Sequence, residues 1–180
     1  MVAISGSDSG SAAADSDSGS SAAAPAARRE SVRALFVTPQ GSVLLIRMDV
    51  RRGPLWITPG GGIAPGESHE IALLRELEEE VGRSDFDVGP LVWIREGEFE
   101  WDGRIIPERE HFYLIQTESF VPDFTGNPVP DEARRMSEHR WWLVGDLLRS
   151  AERFAPARIG HLMADLIEKG PPPSPVETGY

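Results

Sequence analysis

Two short segments of this chain hold the residues best suited to chemistry. Gly61-Gly62-Ile63-Ala64-Pro65-Gly66-Glu67 is rich in glycine and proline, and Arg75-Glu76-Leu77-Glu78-Glu79-Glu80-Val81-Gly82 follows after a short gap. Hard divalent cations take oxygen ligands, and Mg²⁺ is usually held by a few carboxylates together with substrate phosphates. Glycines let backbone atoms come close to a ligand. The two segments together read as a metal–phosphate site.

Ser68 to Val81 reads as a helix, and at about 100° per residue Leu74, Leu77 and Val81 share one face, with Leu73 and Ile71 at its margins. Glu76, Glu79 and Glu80 stand at i, i+3 and i+4 and cluster on the opposite side, where like charges repel unless a cation gathers them. Arg75 is spaced to pair with Glu78 or Glu79. Glu67 and Glu70 sit near the positive end of the helix dipole, where acids are favoured, and Glu67 is placed to support a metal ligand from behind. A run of glutamates alone is more often a solvated helix face. The spacing argues otherwise. The segment satisfies G-x5-E-x7-R-E-U-x-E-E-x-G from Gly61 to Gly82, with U a bulky aliphatic residue, and seven fixed positions coincide by chance on the order of once in 10⁸ trials.

Around this motif, strand and helix signals alternate. Val32–Val37 and Ser42–Met48 flank Thr38-Pro39-Gln40-Gly41, a hairpin signature. Leu55-Trp56-Ile57 is a short strand entering the glycine-rich loop. Val88–Ile94 and His111–Thr117 read as strands separated by a polar stretch containing Trp101-Asp102-Gly103, and Arg140–Leu143 is a further strand. Ile159, Leu162, Met163, Leu166 and Ile167 form the stripe of an amphipathic helix that Gly170 can stop. The pattern is α/β with a mixed sheet and at least two packed helices. Residues 1–29 contain almost no large apolar side chain and read as a disordered tail. Residues 30–170 form the domain, and 171–180, opening with Pro171-Pro172-Pro173-Ser174-Pro175, read as a flexible tail.

The chain of 180 residues has 40% hydrophobic content, enough for one domain with a buried core. Cysteine is absent, which excludes disulfides and thiolate metal sites and fits a reducing, cytoplasmic setting. No run is long enough to span a membrane, and the N-terminus lacks the pattern of an export signal. A formal net charge of −11 argues against nucleic-acid or anionic-membrane partners. An anionic substrate would share that sign, and bound cations resolve the conflict.

The segment from Gly61 to Gly82 resembles the Nudix box, the signature of the Nudix (MutT-like) hydrolases. Trp56 and Pro59 ahead of it, and Trp141-Trp142 followed by Gly145-Asp146-Leu147-Leu148, are similar to family habits, so the resemblance covers roughly residues 31–169. Arg83 stands where the family carries a bulky apolar residue, and Thr58 replaces a more usual apolar one. The resemblance implies an α/β/α sandwich with a mixed β-sheet. It also implies Mg²⁺- or Mn²⁺-dependent hydrolysis of a phosphoanhydride bond in a nucleoside diphosphate linked to another group, by attack of a metal-activated water on phosphorus. Carried onto this chain, it implies that Glu76, Glu79 and Glu80 bind metal, with the Gly61 carbonyl as a further ligand and Arg75 beside them. Some members use a base outside the box; Glu118 is the leading candidate, with Glu108, Glu110 and Glu138 behind it. The partner implied is a phosphorylated, nucleotide-type small molecule, and the chain is expected as a monomer or homodimer.

Weaker signals surround the motif. Arg33 and Arg47 lie on expected strands and are spaced to hold phosphate, and Arg51-Arg52 is a basic spot in an acidic chain. Trp56, Phe99 and Trp101 are candidates for stacking on a base, although core packing is the commoner fate of such residues. His69, His111, His139 and His161 lack metal-ligand spacing. Family markers for ADP-ribose, dinucleoside polyphosphates, coenzyme A and NADH are not visible, which leaves a nucleoside triphosphate or related derivative as the broadest expectation. Two rival readings remain. A Nudix-like fold can serve as a ligand-sensing module without catalysis, against which the intact glutamates argue. The related isoprenoid diphosphate isomerase fold is expected to need a cysteine.

Overall fold

The computed structural model describes residues 28–101, 104–126 and 136–179, with no side-chain detail at 99–101 and 137. Residues 1–27, most of the expected N-terminal tail, lie outside the described residues. Arg29, placed in that tail by composition, instead begins the first strand.

Strand β1 (Arg29–Val37) turns through Thr38–Gly41 into β2 (Ser42–Val50). Gly41 adopts φ +75°, and Thr38 N–H donates to the Ser42 carbonyl at 3.0 Å. The hairpin expectation holds at the turn, where Val37 faces Val43. Beyond it the two strands part. β1 runs parallel to β5 (Arg104–Gln116) over its whole length. β2 takes β6 (Met136–Leu143) and β3 (Gly53–Ile57) as antiparallel neighbours. The sheet order is β7-β3-β2-β1-β5-β4-β8, with β6 joined to β2 off that path. β4 is Leu91–Trp101, β7 Phe154–Ala155 and β8 Val176–Glu177.

Alternation along the strands builds two cores, one on each face. Val32, Ala34, Phe36, Leu44, Ile46 and Ile115 meet helix α1 (His69–Val81). Leu35, Val43, Leu45, Trp56, Phe112 and Trp142 meet helices α2 (Val144–Arg149) and α3 (Ile159–Lys169) on the other. The result is the expected α/β/α sandwich with a mixed sheet. Among the described residues no helix is long and apolar enough to cross a membrane.

Helix α1 begins at Ser68, whose hydroxyl accepts the Ile71 N–H, and ends at Gly82 in the left-handed conformation. Its buried stripe is Ala72, Leu73, Leu77 and Val81, with Leu74 only half-buried and Ile71 exposed. That stripe is rotated from the expected one, and it carries Glu80 into the interior. α3 buries Ile159, Met163 and Leu166 as expected but leaves Ile167 exposed; the Gly170 N–H closes the helix onto the Leu166 carbonyl.

Two expectations are corrected. The polar stretch before His111 is strand on either side of Asp102 and Gly103, which lie outside the described residues: β4 and β5 pair antiparallel with their charged residues facing each other, as in Arg95 opposite Glu110 and Glu96 opposite Arg109. Cross-strand ion pairs replace the apolar alternation by which a strand is usually recognised. The C-terminal segment is not wholly loose either. Val176 and Glu177 pair in parallel with Trp93 and Ile94, the Thr178 N–H donates to the Ile94 carbonyl at 2.9 Å, and Arg109 meets Glu177 at 3.1 Å. The prolines cannot extend α3, and they deliver an extended chain to an unfilled sheet edge.

Candidate active site

Where β1 and β2 diverge, the chain leaving β3 fills the gap. Pro59 to Ile63 lies along the edge of β1: Ala34 N–H donates to the Pro59 carbonyl at 2.8 Å, Val32 N–H to the Gly61 carbonyl at 2.9 Å, and Ile63 N–H to the Glu30 carbonyl at 3.0 Å. The glycine-rich loop is therefore fixed to the centre of the sheet. Gly60 has φ +127°, and a Cβ there would overlap the Val32 carbonyl oxygen.

The Gly60 peptide is gripped from both sides. Its N–H donates to Glu80 Oε2 at 2.7 Å, and its carbonyl accepts from Arg33 Nη1 at 2.5 Å. Both side chains are buried. Gly61 faces Glu76 so closely that a Cβ would overlap the carboxylate. Arg75 links the helix to the loop: it donates to both oxygens of Glu67 at 2.9 and 3.0 Å, to Glu76 Oε1 at 2.8 Å and to the Gly62 carbonyl at 2.9 Å. It also reaches Glu79 at 3.6 Å, the expected i, i+4 pair; Glu78 is exposed. The bonds from Arg75 and from the Ala64 N–H pull the Glu67 carboxyl down to about 2. Glu67, and after it Glu76, outweigh burial and raise the Arg75 guanidinium above its usual value.

Glu76, Glu79, Glu80 and the Gly61 carbonyl are thus brought to one end of α1. Their donor atoms are all oxygen, the kind that suits a hard cation. Among the described residues no three acidic or imidazole side chains converge closely enough to enclose a cation, and the guanidinium of Arg75 bridges Glu67, Glu76 and Glu79 instead.

From Gly60, Gly61 and Glu80 a cleft of about 590 Å³ opens between the β1–β5–β4 strands and the turn joining β2 to β3. On its β1–β5–β4 wall, Glu108 accepts from Arg29 at 2.6 Å and from the Ser31 hydroxyl at 2.5 Å. Glu110 accepts from Arg33 at 2.8 Å and from Arg95. Burial pushes the Glu110 carboxyl up, but Arg33 and Arg95 together outweigh it and hold it below its usual value. Arg33 is pushed down by burial and up by Glu110, Glu108 and Glu80, which prevail.

The remaining expected site residues separate from this arrangement. Trp56 is 3% exposed and packs edge-on against Trp142 in the core; its alternation with Leu55 and Ile57 turns it away from the cleft that they line. Arg47 lies opposite Glu138 on β6 at 3.6 Å and does not line the cleft. Arg33 lines the cleft, but its guanidinium is committed to Glu110 and Gly60, so it positions the loop. Glu118 follows the far end of β5. The Gly61 contact is at Val32, whereas Gln116 pairs with Val37, which separates the two by ~17 Å at ~3.3 Å per residue. Glu118 is exposed there, beyond the end of β5. The side chains of Phe99 and Trp101 lie outside the described residues. His69 and His111 stack at 4.5 Å on the α1 face, bound to Tyr113 and Glu30, and burial with the neighbouring His111 holds the His69 imidazole below its usual value.

Ser31, Arg29 and Arg95 carried no signal of their own in the sequence. One was available in Glu108 and Glu110, which share the period-2 face of Phe112 and Leu114 and so place acids at core-facing positions that demand buried arginines.

A family model described as NUDIX domain matches residues 27–165. A Mycobacterium tuberculosis protein provisionally named mutator protein MutT4 is 30% identical over 130 residues, covering 72% of this chain and 49% of that protein. An RNA pyrophosphohydrolase of Proteus mirabilis is 37% identical over 101 residues, covering 51% of this chain and 56% of its own. The chain spans about half the length of these curated relatives. The crystal structure of a MutT protein from Methanosarcina mazei Go1 shares the fold, with a TM-score of 0.54 at 21% identity over 79% of this chain and 94% of that one.

Proposed function

The chain belongs to the Nudix domain family, and on that premise we propose that it is a divalent-metal-dependent pyrophosphohydrolase acting on a nucleotide-type substrate. The observation that carries this reading is the seating of Glu76 against Gly61 and of Glu80 against the Gly60 N–H, at the mouth of a cleft large enough for a nucleotide. Ligand pockets for small molecules fall in roughly this size range.

In this reading Glu76, Glu79 and Glu80, with the Gly61 carbonyl, hold Mg²⁺ or Mn²⁺. The bound cation supplies charge neutralisation at the phosphates and a more acidic water. Arg75 orients Glu76, and Glu67 fixes Arg75 from behind. The buried pairs of Arg33, Arg95 and Glu110 hold the Gly60 peptide, and so keep Glu80 and Gly61 in register without contacting the reacting atoms. Glu110 is a poor base, since two guanidiniums keep it ionised and occupied.

A hydrolysis screen with Mg²⁺ and Mn²⁺ tests this. Nucleoside triphosphates, dinucleoside polyphosphates, ADP-ribose, NADH and 5′-triphosphorylated RNA cover the classes. Turnover of at least one of them, abolished by chelation and restored by added metal, is expected. Turnover that survives thorough chelation, or none with any substrate, refutes the proposal.

A further inference from the structure

The two walls of the cleft differ in how their charge is compensated. On the β1–β5–β4 wall the arginines already hold carboxylates: Arg29 meets Glu108, and Arg33 and Arg95 meet Glu110. The opposite wall comes from the turn between β2 and β3 and from Arg153, just ahead of β7. There Arg153 Nη1 donates to the carbonyls of Arg52 at 2.7 Å and Gly53 at 3.3 Å. Among the described residues its contacts are with backbone carbonyls, and no carboxylate pairs with it. Arg52 makes no ion pair with any described residue. Arg51 adjoins it, and Asp49 is the one carboxylate among the described lining residues of this wall. Arg52 and Arg153, with Asp49 the one carboxylate beside them in the lining, make this wall cationic in a chain whose net charge is −11.

Between this wall and Gly61 run Leu55, Ile57 and Ala155, an aliphatic strip suited to the uncharged part of a ligand. Guanidinium groups match the oxygens of a phosphate better than any other side chain, through paired N–H donors. Arg153 is also held in place by the two carbonyls, so less side-chain freedom is lost when it engages an anion.

Resting on the pyrophosphohydrolase reading, we propose that Arg52 and Arg153 form a distal anion subsite, which takes a phosphate of the substrate that is not itself hydrolysed. The reactive anhydride lies at the Gly61–Glu80 end and the second phosphate at the β2–β3 turn. Two sources share this chemistry: the 3′-phosphate of a mononucleotide, and the first phosphodiester of a 5′-triphosphorylated RNA end. The overall negative charge disfavours long nucleic acid, yet this wall suits one further phosphate.

The test compares ligands that differ by that one phosphate, using the full chain. Calorimetry sets adenosine 3′,5′-bisphosphate against adenosine 5′-monophosphate, and turnover with Mg²⁺ sets a 5′-triphosphorylated dinucleotide against a nucleoside triphosphate. The ligand with the extra phosphate should be favoured by about three- to tenfold in Kd or KM, as expected of a charge-assisted contact at an exposed site. The preference should shrink as salt rises. Arg52→Gln should bring the ratio towards one while the melting temperature stays near that of the wild type. Arg153→Lys, which keeps a cation but loses the planar fork, should lower the ratio by less. A preference in the bisphosphate arm supports the mononucleotide source, and one confined to the dinucleotide arm supports the RNA end. Equal treatment of both members of each pair, or a preference that Arg52→Gln leaves intact, overturns the subsite. Absence of any hydrolysis together with a persistent bisphosphate preference sinks the catalytic reading and keeps the subsite.

Discussion

The adjacent glycines Gly60 and Gly61 should fail in opposite ways when each is given a methyl group. At Gly60 the backbone itself is the obstacle: φ is +127°, and the new Cβ would overlap the Val32 carbonyl oxygen of β1, which cannot move without breaking the sheet. Backbone strain costs about 1–3 kcal/mol and overpacking a further 1–3 kcal/mol or so. A total near 4 kcal/mol corresponds to a fall in Tm of roughly 8–16 °C for a domain of this size. At Gly61 no left-handed φ is required, and the Cβ meets the far end of the Glu76 side chain. That carboxylate can swing aside, so Gly61→Ala should cost about 1 kcal/mol or less. The displacement removes Glu76 from the place where it would act, and a misplacement of ~1 Å can cost ~10²-fold in turnover. Calorimetric melting and turnover with Mg²⁺, measured on both variants, separate the two outcomes. The reasoning is refuted if Gly61→Ala turns over within about threefold of the wild type, or if it melts as low as Gly60→Ala.

Glu79→Gln and Glu80→Gln should each lose on the order of 10²-fold in turnover, but only Glu80→Gln should lose stability, by ~1 kcal/mol, because Glu80 is buried and accepts the Gly60 N–H; equal melting temperatures would count against that difference. The Glu67 carboxyl is held at about 2, below its unfolded value, so the Glu67–Arg75 link stabilises the fold above pH ~4.5 and is lost as pH falls towards ~2. Acid melting of Glu67→Gln should lack that component, and an unchanged pH profile would show the link to be inert. Trp56→Ala should cost ~3–5 kcal/mol as a core truncation with KM unaltered in the folded fraction, whereas a raised KM would return Trp56 to the substrate. Glu118→Ala, far along β5 from the glycine loop, should leave turnover unchanged, and a loss beyond about threefold would mean that the distance argument is wrong.

The parts of this molecule readable from sequence are those whose signal is local. Ser68 and Gly82 bound the helix, Gly41 makes the hairpin turn, and the spacing from Gly61 to Gly82 marks the site, because each depends on neighbours within one or two turns of chain. The cleft was not readable, since its wall joins Arg29, Ser31 and Arg33 to Glu108 and Glu110 across a parallel strand pair. The rotation of α1 that buries Glu80 is hidden from the sequence for a related reason. An ideal helical wheel places Glu80 beside the other acids, and only the Gly60 N–H gives it a reason to point inward. Glu118 stands just past one end of a strand, and only register, which is not local, decides which strand end meets the loop.

The parallel pairing of β1 with β5 also dictates when the site can exist. The bonds Arg29–Glu108, Ser31–Glu108 and Arg33–Glu110 close over 77 to 79 residues, so β1 waits for its neighbour while all of that chain is made, about 4–16 s at ~5–20 residues per second. Until β5 emerges, α1 has no complete sheet face to pack on, and the glycine loop has only a lone strand edge to hold it. Contacts of such long range make folding slow. They also make it all-or-none for function: a nascent chain stopped before β5 holds every glutamate of the box but lacks the Glu108 and Glu110 that complete the cleft wall.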